Sequence, residues 1–163
     1  MKDKAVVLAV GLAVVAVIVG AILYLNRGSH IQLKGEIQKV RLQEMDDNST
    51  VVVADFRFVN PANYPFVVRK VDMFVMSPEG EELDGKEVSE PDARRMFDYY
   101  KLLGPKYNET FTIREKVAPK ESMDRMLAAR FEVPASKIEQ RKKLRIRVED
   151  VDGAVSELVL EQP

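Results

Sequence analysis

The sequence predicts a mainly β protein: an antiparallel β-sandwich of about seven strands with two helical insertions, preceded by one transmembrane helix. Three observations predict it. Residues Ala5 to Leu25, AVVLAVGLAVVAVIVGAILYL, carry no charge, and at about 1.5 Å of rise per residue they reach roughly 31 Å, close to the hydrocarbon thickness of a bilayer. Beyond them, apolar side chains recur with period two in short runs. Between the runs stand turn-forming clusters: Asp46-Asp47-Asn48-Ser49, Asn60-Pro61-Ala62-Asn63, Ser77-Pro78-Glu79-Gly80 and Asp152-Gly153.

The chain therefore divides into a short tail (residues 1–4), the apolar span (5–25), a linker (26–30) and a sandwich domain (31–163). The span is longer than the 7–15 apolar residues usual in a cleavable signal, and it ends in Tyr24-Leu25-Asn26-Arg27 rather than in small residues, so it reads as an uncleaved anchor lying in the lipid bilayer. Tyr24 suits the headgroup level and Arg27 stops the helix in water. Lys2 and Lys4 precede the span, whereas Arg27, Lys34, Lys39 and Arg41 come after it. A short basic tail before a long apolar helix still resembles a signal anchor, and long domains translocate with little regard to charge. The expectation is a single-pass protein with its soluble domain outside the cytoplasm, periplasmic or extracellular. Ala9 and Ala13, and Ala16 and Gly20, have the spacing of close-packed membrane helices, but small residues are common in such helices and a monomeric anchor is expected.

With Lys2, Lys4 and Asp3 set aside with the anchor, 23 basic residues face 25 acidic ones, a net charge of −2. That balance argues against a nucleic-acid binder, which needs surplus cations to displace counterions. The chain has no cysteine, which excludes disulfides, a thiolate nucleophile and cysteine-ligated metal sites. Its single histidine, His30, lies in the linker, so neither a histidine triad inside the domain nor a multi-histidine metal site can be assembled.

In order, Ile31, Leu33, Gly35 and Ile37 alternate with polar residues, and the apolar phase then shifts to Val40 and Leu42, which predicts a bulge near Gln38 and Lys39. Thr50 to Val59 resumes the alternation with Val52, Ala54, Phe56 and Phe58 inward, and Asp55 and Arg57 facing water. After the Asn60-Pro61 turn and Pro65, Phe66 to Met76 is a strongly apolar strand, and Glu82 to Val88 returns from the type I turn at Ser77-Pro78-Glu79-Gly80. Ser89 to Leu103 changes to helical period, with Ser89 as cap, Pro91 in the first turn and Gly104-Pro105 as the stop. Tyr107 to Val117 reads as a strand whose apolar face includes Phe111 and Ile113. Glu121 to Phe131 reads as a short helix, from the recurrence of Met123, Met126, Leu127 and Arg130. Leu144, Ile146 and Val148 mark a strand that turns at Asp152-Gly153 into a last strand, Ala154 to Leu160.

On the helix from Ser89, the residues Ala93, Met96, Phe97, Tyr100 and Leu103 share one face, and Tyr99 and Leu102 widen the apolar arc beyond what a core requires. Phe97, Tyr99, Tyr100 and Leu102 are the candidate contact for a protein partner, and Tyr99 and Leu102 could equally meet the nearby bilayer. The plain alternative is that Tyr99 and Leu102 merely cover one end of the sandwich. The acidic turn Glu149, Asp150, Asp152, Gly153 fails the EF-hand spacing, because Val148 and Val159 would occupy the first and twelfth loop positions. The acidic run Glu79, Glu81, Glu82, Asp84, Glu87 and Glu90 and the basic run Arg141, Lys142, Lys143, Arg145 and Arg147 read as solvated faces. The basic run also lacks the interleaved aromatics of a base-stacking surface. Asn48-Ser49-Thr50 and Asn108-Glu109-Thr110 match the N-glycosylation pattern, which acts only in a eukaryotic secretory pathway.

The hairpin VVVADFRFVNPANYPFVVRKVDMFV, Val51 to Val75, resembles the WHy-type domain of the second group of late embryogenesis abundant proteins, with its alternating strand, Asn-Pro, aromatic-Pro pair and second apolar strand. The Ser89 to Gly104 segment departs from that pattern as a longer helical insertion. The resemblance implies an immunoglobulin-like or fibronectin-like sandwich, often tethered by an amino-terminal helix, with a stress-protective or binding role, and it brings no catalytic residues. The expected function is a membrane-anchored module with a binding, protective or envelope-assembly role, without a cofactor, a metal or an evident small-molecule substrate. The alternative is a small membrane-anchored hydrolase using Asp and Glu residues.

Overall fold

A computed structural model describes residues 11–21 and 32–162. The first stretch is a helix, α1, whose residues are exposed. The expected span Ala5 to Leu25 runs past it on both sides, and the tail, the linker and His30 also lie outside the described residues. No helix among the described residues is long and apolar enough to cross a membrane. The second stretch belongs to a separate compact unit, the β domain.

The elements of the β domain are β1 (Lys34–Asp46), β2 (Ser49–Val59), β3 (Phe66–Met76), β4 (Glu82–Glu87), α2 (Glu90–Tyr99), a 3-10 turn (Lys101–Leu103), β5 (Lys116–Val117), β6 (Ser122–Phe131), α3 (Ala135–Glu139), β7 (Lys143–Asp150) and β8 (Val155–Glu161). Eight strands thus stand among the described residues where about seven were expected. The hydrogen-bonded order is β1-β2-β6-β4-β3-β7-β8, with β5 added beside the start of β3, and every ladder is antiparallel.

The path folds into two layers because β4 changes sheet along its length. Its first half pairs with β3, from Glu82 to Gly85, and its last two residues pair with β6, Lys86 with Arg130 and Glu87 with Ala129. Gly85 stands at the crossing for want of room: a Cβ there would lie 2.5 Å from the Phe131 ring and 2.9 Å from the Ala129 Cβ. Between the layers lies the main core. It holds Val52, Ala54, Phe56 and Phe58 of β2, Val71, Met73 and Val75 of β3, Leu144, Ile146 and Val148 of β7, and Phe111 from the loop before β5. Phe111 meets Phe56 edge-on at 5.7 Å and Phe58 at 4.9 Å between ring centroids. Each such ring contributes roughly 1.5–3 kcal/mol by leaving water.

The bulge appears as a register break between Ile37 and Lys39. Ile37 is opposite Phe56, while Val40 and Leu42 are opposite Ala54 and Val52, so all three keep to the inner face. The extra residue also turns Arg41, opposite Val53, to the outer face, because a strand without it would have placed residues 37 and 41 on the same side.

Three expectations are corrected. Glu121 to Phe131 is not a helix; Ser122–Phe131 is a central strand paired with β2 along its whole length. Leu127, Ala129 and Phe131 face the main core, and Met126 and Ala128 face a second one. Two-sided burial fills both faces with apolar residues and erases the period-two signal, and the helix preference of Met, Leu and Ala yields to the need of β2 for a neighbour. The second helical insertion lies instead at Ala135–Glu139, just after Pro134. Tyr107 to Val117 is not a continuous strand: residues 109–111 bridge to Met126, only Lys116 and Val117 pair with β3, and Ile113 is exposed. Finally, Asp55 does not face water but is buried, whereas Arg57 is exposed.

At the end where β2 and β6 meet, Asn60 is fully buried and works as a fastener. Its side-chain amide donates to the carbonyls of Tyr64 (2.8 Å), Val117 (3.2 Å) and Ala118 (3.3 Å), and its Oδ1 accepts from the Ala62 amide (3.0 Å). The Asn-Pro turn singled out in the sequence therefore ties the 60–65 loop to the end of β5 through one buried side chain.

Candidate partner-binding surface

The outer face of the β1-β2-β6 sheet is covered by α2 and the chain just after it. The helix starts where the sequence indicates. Ser89 is extended at the cap, its Oγ accepts from the Asp92 amide and donates to the Asp92 carboxylate (2.6 Å), and Pro91 occupies the first turn. Glu90 and Asp92 set negative charge at the positive end of the helix dipole. The expected Ser89 to Leu103 helix is shorter than predicted: it stops at Tyr99, and after Tyr100 the chain tightens into a 3-10 turn. Gly104, at φ 70°, releases it in a conformation that L side chains rarely adopt.

Of the four candidate contact residues, Phe97 is buried beneath the helix with Ala93 and Met96, against Val51, Val53, Met126 and Ala128. It packs the second core. Tyr100 is half-buried, its ring edge-on to Tyr99 at 4.8 Å between centroids. Tyr99 is 78% exposed and Leu102 95% exposed. Tyr99 borders a groove of about 680 Å³, with Val51, Val88, Met96 and Tyr100 among its apolar walls and Lys86, Glu87, Arg95 and Arg130 among its charged ones. Burial of its carboxyl, and then repulsion from Asp72, raise Glu87 above the usual glutamate value.

What holds this layer on is a buried charge that sequence reading missed. The Arg41 and Asp55 side chains, 9% and 4% exposed, pair at 2.7 Å. The same guanidinium donates to the carbonyls of Leu103 (2.8 Å) and Pro105 (2.9 Å), and lies 5.0 Å from the Phe97 ring centroid and 5.1 Å from that of Tyr107. The Asn108 amide donates to the other Asp55 oxygen (2.9 Å), so this candidate glycosylation residue is a fastener as well. Arg41 Nε and Thr110 Oγ1 are buried without a hydrogen-bond partner among the described residues. A buried pair of this kind costs desolvation, and its multiple hydrogen bonds fix one position of the 101–108 segment. The signal available in the sequence was the bulge, which turns Arg41 to the side of Asp55.

The other flagged clusters are engaged in structure. Asp150 is buried and accepts from the Val67 (2.9 Å) and Val151 (2.7 Å) amides. In the basic run, Arg145 bridges Glu82 (2.7 Å) and Glu157 (3.2 Å) and lies over the Phe74 ring, and desolvation lowers Arg141 from its ordinary value. Glu81 of the acidic run pairs with Lys137 at 2.8 Å, and Glu90 with Arg94 at 2.9 Å.

No protein-family model and no curated protein matches the chain. It is similar to several solved structures. One is the archaellum periplasmic stator complex of FlaF and FlaG from Sulfolobus acidocaldarius, at 15% identity over 79% of this chain and 88% of that one, with a TM-score of 0.39. A protein from Archaeoglobus fulgidus is 15% identical over 80% of this chain and 98% of that one, with a TM-score of 0.41. An uncharacterized β-sandwich protein from Clostridium difficile is 9% identical over 80% and 86%, with a TM-score of 0.40. At these scores none of the likenesses transfers a role to this chain.

Proposed function

We propose that this chain is a single-pass membrane protein whose β-sandwich lies outside the cytoplasm and binds a protein partner through the α2 face, as a member of an envelope assembly and without chemistry of its own. The observation that carries the reading is the exposure of Tyr99, at the edge of a groove, and of Leu102, on a segment locked from beneath by Arg41. Apolar residues held rigidly in water forfeit little further entropy on docking, which favours an interface. The resemblance of the Val51 to Val75 hairpin to WHy-type domains belongs to the same reading, since it implies a binding or protective role.

A photoreactive side chain placed at Leu102 in intact membranes tests it. The expected result is a discrete protein adduct that is absent with the probe at Asp47 and is lost when Tyr99→Ser is added. Equal labelling from both positions, or labelling indifferent to Tyr99, overturns the reading. Protease applied to intact cells tests orientation, and complete protection of the domain refutes the extracytoplasmic placement.

A further inference from the structure

The described part of the domain begins at one end of the sandwich, and four structural facts locate that end. Lys34 pairs with Val59, Val59 pairs with Ser122, the Asn60 amide donates to Glu121, and the Leu33 amide donates to Ser156 Oγ at 2.8 Å. Three connections share this end: 60–65, the stretch 112–121 that carries β5, and 151–154.

Their tips carry apolar side chains in water. Ile113 and Val151 are each 51% exposed and Tyr64 38%. They are not scattered. The Val151 amide donates to the Val67 carbonyl (3.0 Å) and the Arg114 amide to the Val68 carbonyl (2.7 Å), so the two tips flank the first residues of β3 from opposite edges, about two strand spacings apart, near 10 Å. Tyr64 stands two residues ahead of the same strand. Arg114, Lys116 and Lys120 are exposed around them and outnumber the exposed carboxylates of the same connections, Glu121 and Asp152. Arg114 and Lys120 have φ of 70° and 62°, a conformation costly for residues other than glycine and tolerated when surrounding structure enforces it. Here it is enforced by the Arg114 bond to Val68 and the Lys120 amide bond to the Asn60 carbonyl (2.9 Å).

Only residues 26–31 separate this end from the apolar span, and six residues reach at most about 20 Å. We propose that this loop end rests on the surface of an anionic bilayer, with Ile113, Val151 and Tyr64 entering the interfacial layer and Arg114, Lys116 and Lys120 meeting headgroup phosphates. The inference rests on the membrane reading of residues 5–25 and deepens it: the domain is oriented on the lipid, and α2, on a flank of the sandwich, is presented sideways.

The absence of native cysteine makes the test direct. Single cysteines at Ile113, Val151, Asp47 and Glu79 in the full chain receive a fluorophore, and the chain is reconstituted into vesicles of phosphatidylglycerol and phosphatidylcholine containing spin-labelled lipid. Labels at Ile113 and Val151 are expected to be quenched several-fold more than those at Asp47 and Glu79, which lie in the turns at the other end. Arg114→Glu with Lys116→Glu brings that ratio towards one. Equal quenching at all four positions in a chain that floats with the vesicles overturns the inference and leaves the anchor standing. A ratio unaffected by the charge reversal overturns the headgroup contact, and failure to float with vesicles refutes the anchor and the inference together. Shielding of Ile113 that requires an added protein makes this end a protein contact and overturns the lipid assignment.

Discussion

Strands β2 and β7 both read in sequence as alternating, yet one is buried on two faces and the other on one. In β7, Leu144, Ile146 and Val148 enter the core, while Lys143, Arg145 and Glu149 turn outward to pair with Glu161, with Glu82 and Glu157, and with Arg69. In β2, Val52, Ala54, Phe56 and Phe58 enter the same core, but Val51 and Val53 on the other side lie under α2 with the buried Asp55. The difference teaches what a charge costs in each place. On β7 water shares the load and an ion pair is nearly dispensable. Beneath α2 a charge must find its partners in the protein or it destabilises the fold.

The largest expected effect tests that contrast directly. Asp55→Ala leaves the Arg41 guanidinium buried without its carboxylate and should cost about 3–5 kcal/mol in chemical denaturation; Arg145→Ala, on the outer face of β7, should cost less than about 1 kcal/mol. Similar costs for the two would erase the distinction. Combining Arg41→Met with Asp55→Leu should recover part of the loss, since no buried charge then lacks a partner, although the Leu103 and Pro105 carbonyls and the Asn108 amide lose theirs. Next, Phe97→Ala should cost about 3 kcal/mol by opening a cavity between α2 and β2, and a value near zero would mean that the helix is only loosely seated. Gly85→Ala, which forces a methyl group against Phe131 and Ala129 where β4 changes layers, should cost about 1–3 kcal/mol, measured as a fall in thermal midpoint. The smallest effect belongs to the groove wall. The folded state raises the Glu87 carboxyl above its ordinary 4.5, so its favourable contribution is complete below that value and is lost as pH rises through the folded one. Glu87→Gln should flatten this dependence and leave the domain slightly more stable at neutral pH, by no more than about 0.5 kcal/mol. An unchanged stability-pH curve in the variant would assign the titration elsewhere.

Much of this was legible because local rules suffice for it. The strand from Phe66 to Met76, the turns at Ser77 to Gly80 and Asp152-Gly153, the Ser89 cap and the bulge after Ile37 each announce themselves within a few residues. What escaped needed knowledge of a second layer. MLAARF reads as a helix because both of its faces are covered, and VVVADF reads as one-sided because Asp55 looks like a solvent residue until Arg41 and Asn108 are placed around it. The candidate contact was half legible: the excess width of the apolar arc marked Tyr99 and Leu102, but where the helix would yield to a 3-10 turn, and so which aromatic would be buried, depended on carbonyls captured by an arginine about sixty residues earlier.

The position of Arg41 on β1 has a mechanical consequence. If the chain is pulled from its amino terminus while a partner grips Tyr99 and Leu102, the load runs from Leu103 through the guanidinium into β1 and along that strand, bypassing the phenylalanine cluster. The contacts in series are then the guanidinium bonds to the Leu103 and Pro105 carbonyls, while the ladder of β1 against β2 lies beside the path. Detachment under tension would accordingly be governed by how fast one side chain on β1 lets go of those carbonyls.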